Sequence, residues 1–355
     1  MVFIYRQEIL KDISLFTSQP KAKFYDELFI NLDLSCIPEH NSKTGRSSYS
    51  NHAMICAFIV MKCEGFSQIA DLHDYLSNNL IIAHYCGFDI FRKLPSYAKF
   101  TRFICEFDND ILQTVMQSQV LKASGLSLVD SSFIALDATP VKANVSDSSV
   151  TLEILKRANS FLPLTECSFL ADKAYDVKAI YNAVRDTYGG DCFIALNKRN
   201  TKNPKKLPSG NVICAAGLAM NKDGKVSDNG RTRQKYSCPF KLSKNGCCPC
   251  NHKLWNNGKK NCGCTKYVTV PDDYRLSIDR NSIAFRSVYA LRTEAERYNS
   301  RFKQAGCERV FVRNGNSVKN LNTIAHISLL SIAIAAVITK KDISYRSVKS
   351  LKRLS

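Results

Sequence analysis

From Tyr289 to Lys303 the chain reads Tyr-Ala-Leu-Arg-Thr-Glu-Ala-Glu-Arg-Tyr-Asn-Ser-Arg-Phe-Lys. On a helix of about 3.6 residues per turn, positions 289, 292, 296, 299 and 303 fall on one stripe. That stripe carries Tyr289, Arg292, Glu296, Asn299 and Lys303. A core-facing helix would place Leu, Ile or Val there, so this face meets a polar, anionic partner rather than a core. Glu294 lies roughly 200° around the axis from Glu296 and falls outside the stripe. Two further acids end short β-prone runs. Phe133-Ile-Ala-Leu136 stops at Asp137-Ala-Thr-Pro140, and Cys167-Ser-Phe-Leu-Ala171 stops at Asp172-Lys-Ala-Tyr-Asp176. Such runs bounded by turn residues read as buried strands, which puts Asp137 and Asp172 at strand C-termini. Asp176 is expected to cap the helix that follows, Val177 to Arg185.

The spacing Tyr-x2-Arg-x3-Glu-x6-Lys resembles the signature around the last acidic residue of DDE transposases of bacterial insertion sequences, and Tyr289, Arg292, Glu296 and Lys303 match it without a gap. Asp137 and Asp172 resemble the family's first and second acidic motifs, with Ala174 where a glycine is usual. The resemblance implies that Asp137, Asp172 and Glu296 are catalytic and hold Mg²⁺ or Mn²⁺, and that Tyr289, Arg292 and Lys303 contact DNA. Carboxylates supply the hard oxygen ligands such ions select. Two divalent ions about 4 Å apart can stabilise charge on both the entering and the leaving oxygen of a phosphodiester, so no side-chain nucleophile is needed. The implied partner is double-stranded DNA, both transposon ends and target, bound by a homodimer.

Composition agrees with a nucleic-acid partner. Fifty Lys and Arg against 31 Asp and Glu give a net charge of +19, and each phosphate neutralised releases counterions, which makes affinity salt-dependent. The basic residues cluster at 198–206, at Arg231 to Lys235 and in the tail from Arg346 to Arg353. The N-terminus lacks a basic segment followed by a long apolar one, so the 15 cysteines read as reduced and the protein as cytoplasmic and nucleoid-associated. Leu321 to Thr339 carries no formal charge and is long enough to span a bilayer. His326, Asn322, Ser328 and Ser331 within it favour a buried packing helix and no membrane.

These features divide the 355 residues into a helical DNA-binding region (1–130), the first part of a ribonuclease-H-like α/β core (131–196), a Cys-rich insertion (197–275), the rest of the core with the Glu296 helix and a buried C-terminal helix (276–340), and a basic tail (341–355). Within the first region a helix-turn-helix would fit Phe66 to Cys86, and Pro95 to Arg102 opens another helix; no recognition helix stands out. The 123 residues between Asp172 and Glu296 exceed one crossover and match the insertion domain, β-rich in the better-known cases, that some DDE transposases carry there. Cys238, Cys247, Cys250, Cys262 and Cys264 could form a structural zinc site, although only 247 and 250 have the paired Cys-x2-Cys spacing. Reduced thiols are the alternative.

The spacing between the two aspartates is short. Ribonuclease-H-like cores follow the first-Asp strand with two more strands and a helix before the second-Asp strand. Here 34 residues separate Asp137 from Asp172, and a helix from Ser148 to Phe161 plus the second strand leave nine, Thr139 to Asp147, for two strands and their turns. Strands average about five to six residues, so the hairpin does not fit. The chain reads as an internally deleted copy, its core missing two strands, whose alternative role is a non-catalytic DNA-binding remnant.

Overall fold

Thirteen residues, Asn51–Cys63, contain only two polar side chains besides Lys62, too few for any solvent-facing stripe. They form a helix (α2) buried along almost its whole length, capped by Ser50 Oγ, which accepts the Ala53 N–H. The computed structural model describes residues 17–40, 48–137, 147–197, 205–207, 211–228, 231–240, 264–269, 274–308 and 311–340. Around α2 pack α1 (Pro20–Ile30), α3 (Ile69–Asn78), α4 (Leu80–Tyr85), α5 (Tyr97–Glu106) and α6 (Asn109–Gly125). Each fully buried Leu, Ile or Phe here contributes roughly 1.5–3 kcal/mol over an exposed one. The carboxylate of Glu64 ties three of these helices: its Oε1 accepts the hydroxyls of Tyr25 (2.7 Å) and Tyr75 (3.2 Å), and its Oε2 pairs with Lys21.

Only Asn79 separates α3 from α4, so the three- or four-residue turn of a helix-turn-helix is not formed between Phe66 and Cys86. The exposed side of α3 also carries Asp71 and Asp74, the wrong sign for a phosphate backbone.

The sheet that follows is parallel, in the order β1 (Phe133–Leu136), β2 (Ser168–Ala171), β3 (Asp191–Ile194). Parallel neighbours need crossovers. The first runs through α7 (Asp147–Asn159), and the second through α8 (Lys178–Asn182), which widens into a π-type turn at Ala183–Thr187. Leu155, Phe169, Tyr181, Val184 and Ile194 fill the space between helices and sheet. Three of the four β2 residues are buried, whereas none in β1 is. The segment expected to be too short for a hairpin lies almost entirely outside the described residues.

The insertion contributes an antiparallel sheet of β4 (Asn221–Asp228), β5 (Arg231–Ser237) and β6 (Thr265–Thr269) over a small core of Val212, Cys214, Met220 and Tyr236. Cys238 is buried at the end of β5, and Cys264 packs against the same core just before β6. Cys247, Cys250 and Cys262 lie outside the described residues, as do the basic tail and most of the 198–206 cluster.

The chain then returns through α9 (Tyr274–Ser277) to α10 (Ile283–Ala290) and α11 (Thr293–Phe302), whose last turn broadens at Lys303–Cys307. Asp176 secures this return and is not the helix cap expected from sequence; Val177 occupies the cap position, without a side-chain bond. The Asp176 carboxylate is fully buried. It accepts the Tyr181 hydroxyl (3.0 Å), the Asn197 N–H (2.8 Å) and Arg275 Nη1 (3.2 Å), while Arg280 reaches the Ile194 carbonyl and the Tyr181 oxygen. At the far end Gly306, with φ of +75°, lies so close to the Phe66 carbonyl that an added Cβ would sit 2.5 Å from its oxygen, so only glycine lets α11 dock on the N-terminal helices.

The last described helix, α12 (Gly315–Ile338), is long and apolar enough to cross a membrane. Leu321, Ile324, Ile327 and Ile332 instead join the core of the N-terminal helices. Its buried polar groups are paired as well. Asn320 donates to the Ile104 and Phe107 carbonyls, Ser328 to the Ile324 carbonyl, and Ser331 to Gln119. Residues 276–340 therefore divide, with α10 meeting the sheet at β3 and α12 filling the helical core.

Candidate active site

In the parallel register Leu136 of β1 lies opposite Ala171 of β2. The next residue on each strand is an aspartate, so Asp137 and Asp172 leave the same edge of the sheet from neighbouring strands, roughly one strand spacing of about 5 Å apart. Asp172 turns immediately into a 3₁₀ turn, its Oδ1 accepting the Ala174 N–H at 2.7 Å. Asp137 is half-buried, and its Oδ2 accepts Asn299 Nδ2 at 3.1 Å.

Asn299 belongs to α11, and that bond sets the polar stripe against the end of β1. The stripe does not lie on one continuous helix, as its spacing suggests. A tight turn at Leu291 and Arg292 divides α10 from α11, yet both residues keep right-handed helical torsions and the stripe survives the break. Phe193 of β3 packs on Phe285 (5.6 Å), Phe285 stacks on Tyr289 (5.6 Å), and the Arg292 guanidinium sits over the Tyr289 ring at 5.7 Å. Arg292 Nη2 donates to Glu296 Oε1 at 2.6 Å. Burial works against the Arg292 charge; the bond to Glu296, with Tyr289 and the charges of Glu296 and Asp137 nearby, outweighs it and raises the pKa. Glu296 and Lys303 are exposed, and Glu294 pairs with Arg297 away from this group.

Asp137 and Asp172 thus leave one edge of the sheet, and α11, next to the Tyr289–Arg292–Glu296 group, meets that edge at Asp137 through Asn299. Among the described residues no three Asp, Glu, His or Cys side chains come close enough to hold a metal ion together, so the structure does not bring Asp137, Asp172 and Glu296 into one ligand set. Their chemistry suits a divalent ion: each has two hard, anionic oxygens, and the contacts above engage one of them. Asn299 was visible in sequence as a member of the polar stripe. Its bond to a carboxylate 162 positions earlier was not.

Behind the site, α11 is fastened to α12 by Tyr298, whose hydroxyl lies 2.6 Å from His326 Nδ1, with Phe302 stacked on the imidazole at 4.6 Å. Burial keeps the Tyr298 phenol protonated, so it is the donor, and burial also lowers the His326 pKa to about 4. A base whose folded pKa lies below its unfolded value of about 6.5 stabilises the fold fully above pH 6.5, and that contribution is lost as pH falls toward 4. Denaturation midpoints measured between pH 7 and pH 4 are expected to fall less steeply in His326→Phe than in the wild type. Parallel slopes would show that His326 does not carry this dependence.

Two family models match the chain. Residues 125–331 match the model described as Transposase DDE domain, and residues 14–106 match the Transposase domain (DUF772). No curated protein matches the chain. The first match covers more than half of the sequence and spans both strand-end aspartates and the polar stripe, and the chain belongs to the DDE transposases of insertion-sequence type.

Proposed function

We propose that this protein binds duplex DNA at transposon ends, as a homodimer in the cytoplasm, through a core built for divalent-metal-dependent strand cleavage and transfer. The Asn299–Asp137 bond carries this reading, because it draws the helix bearing Glu296 onto the strand end bearing the first aspartate. Asp137, Asp172 and Glu296 would hold Mg²⁺ or Mn²⁺, which supplies charge stabilisation at the attacking and leaving oxygens. Asn299 orients Asp137 by occupying one of its oxygens. Arg292, now paired with Glu296, is placed to exchange that carboxylate for a DNA phosphate, and Lys303 extends the same basic edge. Replacing Arg292 or Lys303 with Ala is expected to weaken end binding and lower the salt slope by about one unit for each phosphate left unneutralised. Unchanged slopes in both variants would remove this face from the DNA.

A second reading, favoured by β1, is a DNA-binding remnant with little catalytic power. Among the described strands β1 pairs only with β2, and its residues are at most half-buried, Ile134 and Leu136 packing against the core from its margin. That is the state expected if the two strands after Asp137 have been deleted, since an unpaired edge leaves backbone groups to water and loosens the residue at its end. DNA binding without strand transfer by the 355-residue chain would support this reading.

For the insertion we infer a structural zinc held by four of Cys238, Cys247, Cys250, Cys262 and Cys264. The burial of Cys238 and the packing of Cys264 against one small core support it. Protein purified without chelator is then expected to hold about one zinc and to lose local order when chelated. Elemental analysis that finds none would leave the cysteines as reduced thiols.

A further inference from the structure

Phe91 is 95% exposed, the most exposed large apolar side chain among the described residues. It stands at the tip of a turn whose backbone is fixed from both sides. Asp89 accepts the Phe91 N–H on its carboxylate (3.0 Å) and the Arg92 N–H on its carbonyl (3.1 Å), and the Tyr49 hydroxyl donates to the Lys93 carbonyl at 2.8 Å. Tyr49 packs edge-on against Phe88, Phe88 against Phe100, and Phe100 against Phe58 in the helical core. The buried Pro95 then precedes α5. A phenyl ring held in water by so rigid a support, where a polar residue would serve the turn equally well, is presented for contact.

Its surroundings state the partner's charge. Arg92, in a solvent-facing ion pair with Asp89, and Lys93 are both exposed beside it. On α5 the core side is set by Phe100 and Ile104, and the opposite side carries Lys99 and Arg102, with Tyr97 half-exposed at the helix start. Four cations and two exposed aromatic rings thus fall within twelve residues, with Asp89 and Glu106 at either end as the only acids. Cations alone would fit any polyanion, but an aromatic wedge flanked by cations fits a polyanion with stackable bases. The acidic exposed side of α3 makes that neighbouring helix a poor alternative.

We propose that the Asp89–Leu94 turn and the outer face of α5 form a duplex-DNA contact in which Phe91 inserts at a base step while Arg92, Lys93, Lys99 and Arg102 hold the flanking phosphates. This rests on the reading that the chain binds transposon-end DNA, and it names the surface that does so away from the carboxylates. The rigid turn matters because a wedge ordered in advance loses little entropy on insertion.

The test uses the full chain and duplexes of terminal and unrelated sequence carrying 2-aminopurine at successive positions. Wild type is expected to raise the emission at one step of the terminal duplex, reporting unstacking. Phe91→Ala should abolish that rise and weaken binding about 10- to 100-fold with the salt slope unchanged. Arg92→Ala with Lys93→Ala should lower the slope by about two. Because Phe91 and both cations are exposed, the melting temperatures should not move, which separates weakened DNA binding from unfolding. Wild-type affinity and emission in Phe91→Ala, or a loss confined to single strands, would overturn this surface and leave the transposase reading intact. Failure of the wild type to bind any duplex would overturn both. Loss of duplex binding in Phe91→Ala, with cleavage indifferent to Glu296→Gln, would keep this surface and remove the catalytic reading.

Discussion

Inserting roughly 60 residues from a full-length relative between Ala143 and Asn144 is expected to raise strand transfer by on the order of 10²-fold, the length being that of two strands with their loops. The magnitude follows from placement: a carboxylate misplaced by about 1 Å can cost on the order of 10²-fold in rate. Asp137 sits at the end of a strand with one described partner and no buried residue, and among the described residues its carboxylate is held by a side-chain bond from Asn299. Restored strands would give β1 a second neighbour and fix the direction in which Asp137 leaves it. DNA affinity should change little, since Arg292, Lys303 and the Phe91 turn are carried by other elements. Strong strand transfer by the unmodified chain would show that β1 needs no such support.

Asp176→Ala should destabilise the protein by about 3–5 kcal/mol, because it breaks the ion pair with Arg275 and removes the acceptor of the Tyr181 hydroxyl and the Asn197 N–H at a site where the Asp176 side chain is completely buried. The loss should also reach the active site. Arg275 and Arg280 are where the chain re-enters the core after the insertion, and α10 and α11 follow directly. A double variant, Asp176→Leu with Arg275→Met, should recover part of the stability, because apolar side chains of similar volume can replace a buried ion pair at little cost. Chemical denaturation of the wild type and the two variants checks this; equal midpoints in wild type and Asp176→Ala would mean that the pair contributes nothing.

The sequence made the strand ends legible because local rules govern them. An apolar β-prone run that stops at an aspartate gives both the strand and the exit of the side chain, and β1 and β2 fall within a residue of where Phe133–Leu136 and Cys167–Ala171 place them. The crossover helix α7 was legible for the same reason, ending two residues earlier than its pattern suggested. What local rules could not reveal depends on distant partners. Asp176 looked like a cap because Arg275, its counter-ion, is 99 positions away. The stripe looked like one helix because the turn at Leu291 and Arg292 keeps helical torsions and leaves the spacing intact. The apolar run of α12 gave burial but not location, since hydrophobicity does not say which of two cores receives a helix. Asn299 lay on the correct face, yet nothing in its neighbourhood pointed to Asp137.

Metal-dependent cleavage of a transposon-end duplex, compared across Asp137→Asn, Asp172→Asn and Glu296→Gln in the strand-restored chain, tests the carboxylate site most directly. Each substitution removes one anionic ligand while keeping shape and duplex binding, so cleavage in Mg²⁺ or Mn²⁺ is expected to fall to background in all three. Cleavage that survives all three substitutions would contradict the assignment of this site to Asp137, Asp172 and Glu296.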